Sequence, residues 1–229
     1  MKNLKLTRNV LVLAAAALLT AALGSAIAAI TVYENSFSSR AQFKEIIKSG
    51  GGKRCDRSYR KKGKSMRAAV KRSPTTCSFR PPVQGDNELP NHDVTIDGKI
   101  LKKTPKGLRG GAFVELTLRA GGGGVGYTLR VFPHKKRFEL LRGPAGADFP
   151  VRGKSNAIKK VNKRNRLRLV AAAAEVSAFV NGKEVARVND ADPGQVSGRK
   201  IRFGLGSRKE KQGSVAATFK NVAISVPDR

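Results

Sequence analysis

The chain is predicted to be all-β, a two-sheet antiparallel jelly-roll sandwich preceded by one N-terminal hydrophobic helix. Three observations predict it. Asn181-Gly182 stands between two segments rich in Val, Ala and Phe, and Asn-Gly suits the positive φ angles of a two-residue type I′ hairpin. Short apolar runs recur between turn residues, with 24 Gly and 10 Pro and few helix-period patterns. Three consecutive segments, GAFVELTLR, VGYTLRVFP and KRFELLRG, alternate apolar and polar residues. A chain of 229 residues is long enough for one domain with a real core.

The N-terminus is set apart as a targeting segment, residues 1–30, with the sandwich at 31–229. Lys2, Lys5 and Arg8 precede an uncharged stretch over 10–32. Ala26-Ile27-Ala28 offers the small-x-small pattern of a signal peptide, releasing a chain that begins near Ala29. A retained membrane anchor is equally open, because such a stretch reaches ~34 Å as a helix against a bilayer core of ~30 Å. Either way the domain is expected outside the cytoplasm, secreted or membrane-anchored. Two cysteines are an even count in an oxidising compartment, so Cys55 and Cys77 are expected to form a disulfide. A zinc site is the rival, but it needs three or four N/S ligands and only the isolated His92 and His134 remain. No cofactor motif is read, and no metal set.

Along the chain, TVYENSF predicts a strand over 31–37, and Ser38 or Ser39 caps a short helix that Gly50-Gly51-Gly52 ends. RSYRKK and SMRAAVKRS predict two short strands about the turn at Lys62-Gly63-Lys64, with the disulfide spanning the pair. The turn-rich segment 81–107 is expected to hold one edge strand near 94–97. Its acids Asp86, Glu88, Asp93 and Asp97 lack the spacing of an EF-hand calcium loop and read as turn formers. In the three alternating strands, Val114, Leu116, Leu118, Tyr127, Leu129, Val131, Phe138 and Leu140 are the expected core. Glu115, Thr117, Arg119, Thr128, Arg130, Arg137, Glu139 and Arg142 take the opposite, arginine-dominated face. Gly121 to Gly124 has neither the Lys-Ser/Thr ending nor the following helix of a phosphate-binding loop. GPAGADFPVRGKSN reads as a loop. Residues 165–190 read as three strands: Leu167, Leu169 and Ala171 face in and Arg166 and Arg168 out, while the pattern leaves open which side of the Asn-Gly hairpin is buried. KIRFGLGS and SVAATFKNVAISVP supply the last two strands.

Charge is the other extreme feature. Forty-six Lys plus Arg against 16 Asp plus Glu gives a formal +30, a field that attracts polyanions. The bland alternative is a solvated surface that keeps the protein soluble. Candidate contacts are Arg130, Arg137, Arg166 and Arg168 on a basic sheet face, and Lys61, Lys62 and Lys64 in the basic cluster bounded by the disulfide.

The motifs Tyr127-Thr-Leu129-Arg-Val131, Arg137-Phe138-Glu139-Leu140, Asn165-Arg166-Leu167-Arg168-Leu169, Val180-Asn181-Gly182-Lys183-Glu184-Val185 and Phe219-Lys-Asn221-Val222 follow in an order that resembles concanavalin A-like, laminin-G-like jelly-roll domains. The branch most resembled is the 3-keto-disaccharide hydrolase domain and its bacterial extracytoplasmic relatives. The resemblance covers roughly 31–227 and implies a two-sheet sandwich, an architecture that hosts binding modules and enzymes alike. Glycoside hydrolysis needs two carboxyl groups flanking a bond, for which Glu115 and Glu139 are the candidates. There is no E-x-D-x-x-E run of the kind that glucanases of this fold carry, and structural salt bridges are the alternative role for both. Absence of Trp and only three Tyr disfavour stacking on neutral sugars. The expectation is therefore an exported, non-catalytic interaction module for an anionic polysaccharide or cell-wall polymer or a protein partner, with a glycoside hydrolase-like enzyme as the alternative. An uncleaved N-terminus would add the membrane as a partner. Nucleic acid is disfavoured by few aromatics and by export.

Overall fold

The computed structural model describes residues 29–72, 75–82, 91–121, 126–143, 148–191, 198, 200–209 and 213–227. Fifteen strands follow one another: β1 (Ala29–Asn35), β2 (Ile47–Lys48), β3 (Cys55–Arg60), β4 (Ser65–Val70), β5 (Thr75–Arg80), β6 (His92–Ile100), β7 (Ala112–Ala120), β8 (Tyr127–Phe132), β9 (Arg137–Arg142), β10 (Asp148–Lys154), β11 (Asn165–Ala172), β12 (Glu175–Val180), β13 (Lys183–Asn189), β14 (Lys200–Ser207) and β15 (Val215–Pro227). Among the described residues two short α-helices interrupt them, α1 (Arg40–Glu45) and α2 (Lys106–Arg109). Sheet A runs β13-β12-β11-β6-β15-β4-β3 with β1 also on β15, and sheet B runs β10-β9-β8-β7-β14-β5-β2. All the pairings are antiparallel. The two inner faces meet in one apolar core that includes every expected core residue of β7, β8 and β9. Residues 1–28 of the stretch expected to be a targeting segment, the Gly-rich loop beyond Gly121, and Asp86 and Glu88 lie outside the described residues, while Ala29 and Ile30 already belong to β1. Among the described residues no helix is long and apolar enough to cross a membrane.

Ser39 caps α1 by accepting the Gln42 amide on its hydroxyl at 3.2 Å, the expected device. The first strand sits earlier than its alternation suggested, and Phe37 leaves it at φ 55 to enter the core. The segment around residues 94–97 is no edge: β6 lies between β11 and β15. Its aspartates read as surface turn formers, yet on the outer face they neutralise the arginines of β11. Besides the two-residue β2, which lies where the helix was expected to continue, two strands were hidden from pattern. The first, β5, is short and mostly polar, and the second, β10, follows a Gly/Pro-rich stretch that reads as loop. Arg119 departs from its expected face, because the register of β7 against β14 shifts beside it and its φ is 50. Its guanidinium donates across the sandwich to the Ala173 carbonyl at 3.2 Å.

The hairpin ambiguity is resolved by a bulge. Val180 faces Lys183 and Phe179 faces Glu184, then Ala178 faces Ala186 and Val176 faces Val188. The extra residue, Val185, moves Ala186 onto the side of Val176, Ala178 and Val180, which are buried. Phe179 is left on the outer face, beneath the Arg168 guanidinium at 5.1 Å.

The disulfide does form, between Cys55 and Cys77. It does not merely span the β3–β4 pair: it ties edge strand β3 of sheet A to β5 of sheet B. Gly51, at φ 84, packs against it, and a Cβ there would collide with the Cys55 sulfur and stand 2.8 Å from the Thr76 carbonyl oxygen. Replacing both cysteines by alanine is expected to cost roughly 3 kcal/mol in urea unfolding, and Gly51→Ala to destabilise the oxidised protein more than the reduced one. Equal effects of Gly51→Ala in the two redox states would remove this packing argument.

His92 is buried on the inner face of β6, and neither ring nitrogen has a hydrogen-bond partner. Burial first, and the Arg119 charge second, pull its pKa from 6.5 down to about 4. The unfolded chain therefore takes up a proton near pH 6.5 that the folded chain refuses until about pH 4. Stability is expected to fall across that window as pH drops, by roughly 3 kcal/mol. His92→Leu should flatten this slope in a pH series of urea titrations, and an unchanged slope would show that His92 is not its source.

Candidate functional site

Period-two alternation on β7, β8 and β9 sends one set of side chains inward and the other to the outer face of sheet B. Cross-strand register then arranges the outer set in rows. One row reads Arg152, Glu139, Arg130, Glu115, Gly204 and Ser78. The charges alternate until the glycine, where the row loses its side chain. Arg130 Nε donates to Glu115 Oε2 at 2.9 Å. Glu139, fully buried, meets Arg208 at 2.6 Å, Arg137 at 3.2 Å and Arg152 at 3.9 Å.

The neighbouring row is aromatic beneath its charges. Phe113 and Phe132 pack with ring centroids 5.4 Å apart. Arg130 lies 4.8 Å above Phe113, and Arg137 and Arg208 lie 4.5 and 5.8 Å from Phe132. The rings are buried under the guanidiniums. Desolvation lowers the Arg208 pKa, Glu139 opposes that, and Arg130, Arg152 and Arg137 add to it. Four arginines thus share one patch with two carboxylates, a geometry suited to holding planar anions by paired N–H donors.

The structure brings Arg130 and Arg137 together here and places the other candidates elsewhere. Arg166 and Arg168 project from the outer face of sheet A, on the far side of the sandwich. There Arg166 Nε meets Asp97 at 3.0 Å, and Arg168 grips Asp93 by two bonds of 2.8 and 2.6 Å. Hydrogen bonding to these aspartates raises both pKa values. The four arginines therefore do not form one basic face, because opposite faces of a strand look alike in a sequence of unknown register. Lys61, Lys62 and Lys64 lie in a third place, the exposed turn between β3 and β4.

Glu115 and Glu139 do share a face, with β8 between their strands. Their backbones stand about 10 Å apart, two strand spacings. Each is already engaged by arginine. Sequence reasoning missed Arg152, which lies on a strand read as loop, and Arg208, which follows the end of β14 where alternation stops. It also missed Phe113 and Phe132 as the support of the patch. Among the described residues no group of three His, Cys, Asp or Glu could hold a metal ion.

No protein-family model and no curated protein matches the chain. Solved structures do. A Bacillus subtilis protein of unknown function with a galectin-like fold superposes with a TM-score of 0.62 at 16% identity, covering 86% of this chain and 97% of that one. The fold is the concanavalin A-like jelly roll. Carbohydrate-binding module CBM66 from Bacillus subtilis gives 0.53 at 18% identity, covering 78% and 93%. Alginate lyase A1-II′ of polysaccharide lyase family 7 gives 0.56 at 12%, covering 79% and 86%. At these identities the likeness is one of fold.

Glu139→Gln removes the only negative charge among the described residues that Arg137, Arg152 and Arg208 meet together, and is expected to destabilise the protein by about 3 kcal/mol. Glu184→Gln, at an exposed pair with Arg187, should leave unfolding unchanged. Similar midpoints for the two variants would contradict the buried role of Glu139.

Proposed function

We propose that this chain is a non-catalytic saccharide-binding domain that lays an acidic polysaccharide across the outer face of sheet B. The observation that carries the reading is the arginine patch, where Arg130, Arg137, Arg152 and Arg208 outnumber Glu115 and Glu139. A uronate carboxylate bridging beside these side chains would find guanidinium N–H donors. The fold likeness to a carbohydrate-binding module and to an alginate lyase supports saccharides as the ligand class. Residues 1–30 are a signal peptide or single anchor on this reading, and the Cys55–Cys77 bond suits the oxidising space outside the cytoplasm.

One observation favours the enzymatic alternative: Glu115 and Glu139 face the same way on β7 and β9. A proton-donating acid must hold its proton near the scissile bond, whereas both groups here are salt-bridged to arginine. Binding without turnover is the better fit.

The test is retention on immobilised alginate, a polyuronate, against a neutral β-glucan, as salt is raised. The protein should bind alginate at low ionic strength and elute with salt. Arg130→Ala with Arg208→Ala should weaken binding roughly tenfold or more, while Arg166→Ala with Arg168→Ala should not. Absence of retention at low salt would end the proposal. Release of new chain ends from the polymer, lost in Glu139→Gln, would replace binding by catalysis.

A further inference from the structure

The strongest feature outside that face is a cleft at the edge of the sandwich, about 800 Å³ in volume, where α1 packs against β3. Four cationic side chains line it from three elements: Arg40 from α1, Arg57 from β3, and Lys61 and Lys64 from the turn after β3. That turn is a single 3-10 turn over Lys61–Gly63, ended by Lys64 at φ 38, and Lys61 and Lys64 reach the cleft while Lys62 does not line it.

Counter-charge is what the cleft lacks. Among the described residues none of the four cations makes an ion pair, and the neighbouring acids are committed elsewhere. Asp56 pairs with Lys71 at 3.1 Å, and Glu45 accepts from Tyr33 and Asn35 at 3.3 Å each. The Arg57 guanidinium lies 5.0 Å above the Phe43 ring, and its Nη1 is shut from water without a hydrogen-bond partner. Burial lowers its pKa accordingly. The rest of the wall is half-apolar. Phe43 and Tyr59 stand 6.2 Å apart, and Tyr59 is pinned by donating to the Ser38 carbonyl at 2.9 Å. The sheet B patch differs in kind, since every arginine there already meets a glutamate.

We propose that this cleft is a second binding site, taking a sugar sulfate or sugar phosphate ester by its tetrahedral anion. Four uncompensated cations around one space suit a tetrahedral ester anion, which offers three terminal oxygens and, as a phosphate, a charge up to about −2, better than a planar carboxylate with two oxygens and a single charge. Phe43 and Tyr59 give the sugar ring an apolar surface, and the volume matches a ligand of one or two rings.

The test uses the full-length chain in mild detergent, titrated calorimetrically with a hexose sulfate, a hexose phosphate and a hexuronate. At least one ester should bind, and Arg57→Gln or the Lys61→Gln/Lys64→Gln pair should weaken it roughly tenfold. Arg130→Gln should leave it unchanged, so loss of alginate retention and loss of ester binding separate the two sites. Equal thermal midpoints for parent and variants would show that folding is intact, and a lower midpoint for Arg57→Gln would pass the decision to the exposed lysine pair. Failure of both esters to bind, hexuronate binding as tightly as either, or an equal loss in Arg130→Gln would overturn the proposal.

Discussion

The carboxylate of Glu139 is the hinge of the structure's electrostatics. With 46 basic side chains and 16 acids, this chain cannot match its cations one to one, and a sheet that packs guanidiniums side by side would repel itself apart. Glu139 answers that locally by sitting under Arg137, Arg152 and Arg208. Elsewhere single acids serve more than one donor in the same way. Asp97 takes Arg166 and Asn221, and Asp190 takes Arg142 and the Tyr127 hydroxyl. Acids placed at shared positions hold the sheets together, and the remaining positive charge is displayed outward.

The backbone determines where that charge appears. Strand β15 runs 13 residues and serves β4, β6 and β1 in turn, so sheet A is built about one long strand with a register shift near Asn221. Sheet B lacks such a spine, and its outer face falls to Gly204 and Gly206 on β14 beside the charged rows of β7, β8 and β9. The disulfide closes one edge by holding β3 to the opposite sheet, and thereby fixes the wall that carries Arg57 and Tyr59. Two chemically distinct basic regions result, one neutralised in part by glutamates and one with no acid of its own.

Much of this is legible in the sequence. Alternation in β7, β8 and β9 named the core residues, Asn181-Gly182 marked the hairpin, and the cysteine count announced the disulfide. What escaped was everything decided by register. Period two says that Arg130 and Arg166 leave their sheets outward, but it does not say that their sheets face opposite ways. The bulge at Val185 and the turn of Arg119 into the sandwich each depend on one extra residue opposite a partner strand, a fact held in the pairing and not in the segment. The strands β5 and β10 were invisible because neighbours, more than their own propensity, make them strands. The arginine patch therefore combined anticipated residues with two, Arg152 and Arg208, that only the folded sheet brings in.

The saccharide site proposed for the outer face of sheet B can be tested directly through its arginine side chains. In an NMR titration of the full-length chain with an oligouronate, the Nε–H signals of Arg130, Arg137, Arg152 and Arg208 should move together and saturate, while those of Arg166 and Arg168 stay in place. Movement confined to Arg166 and Arg168, or no movement of any of the six at low salt, would contradict the account.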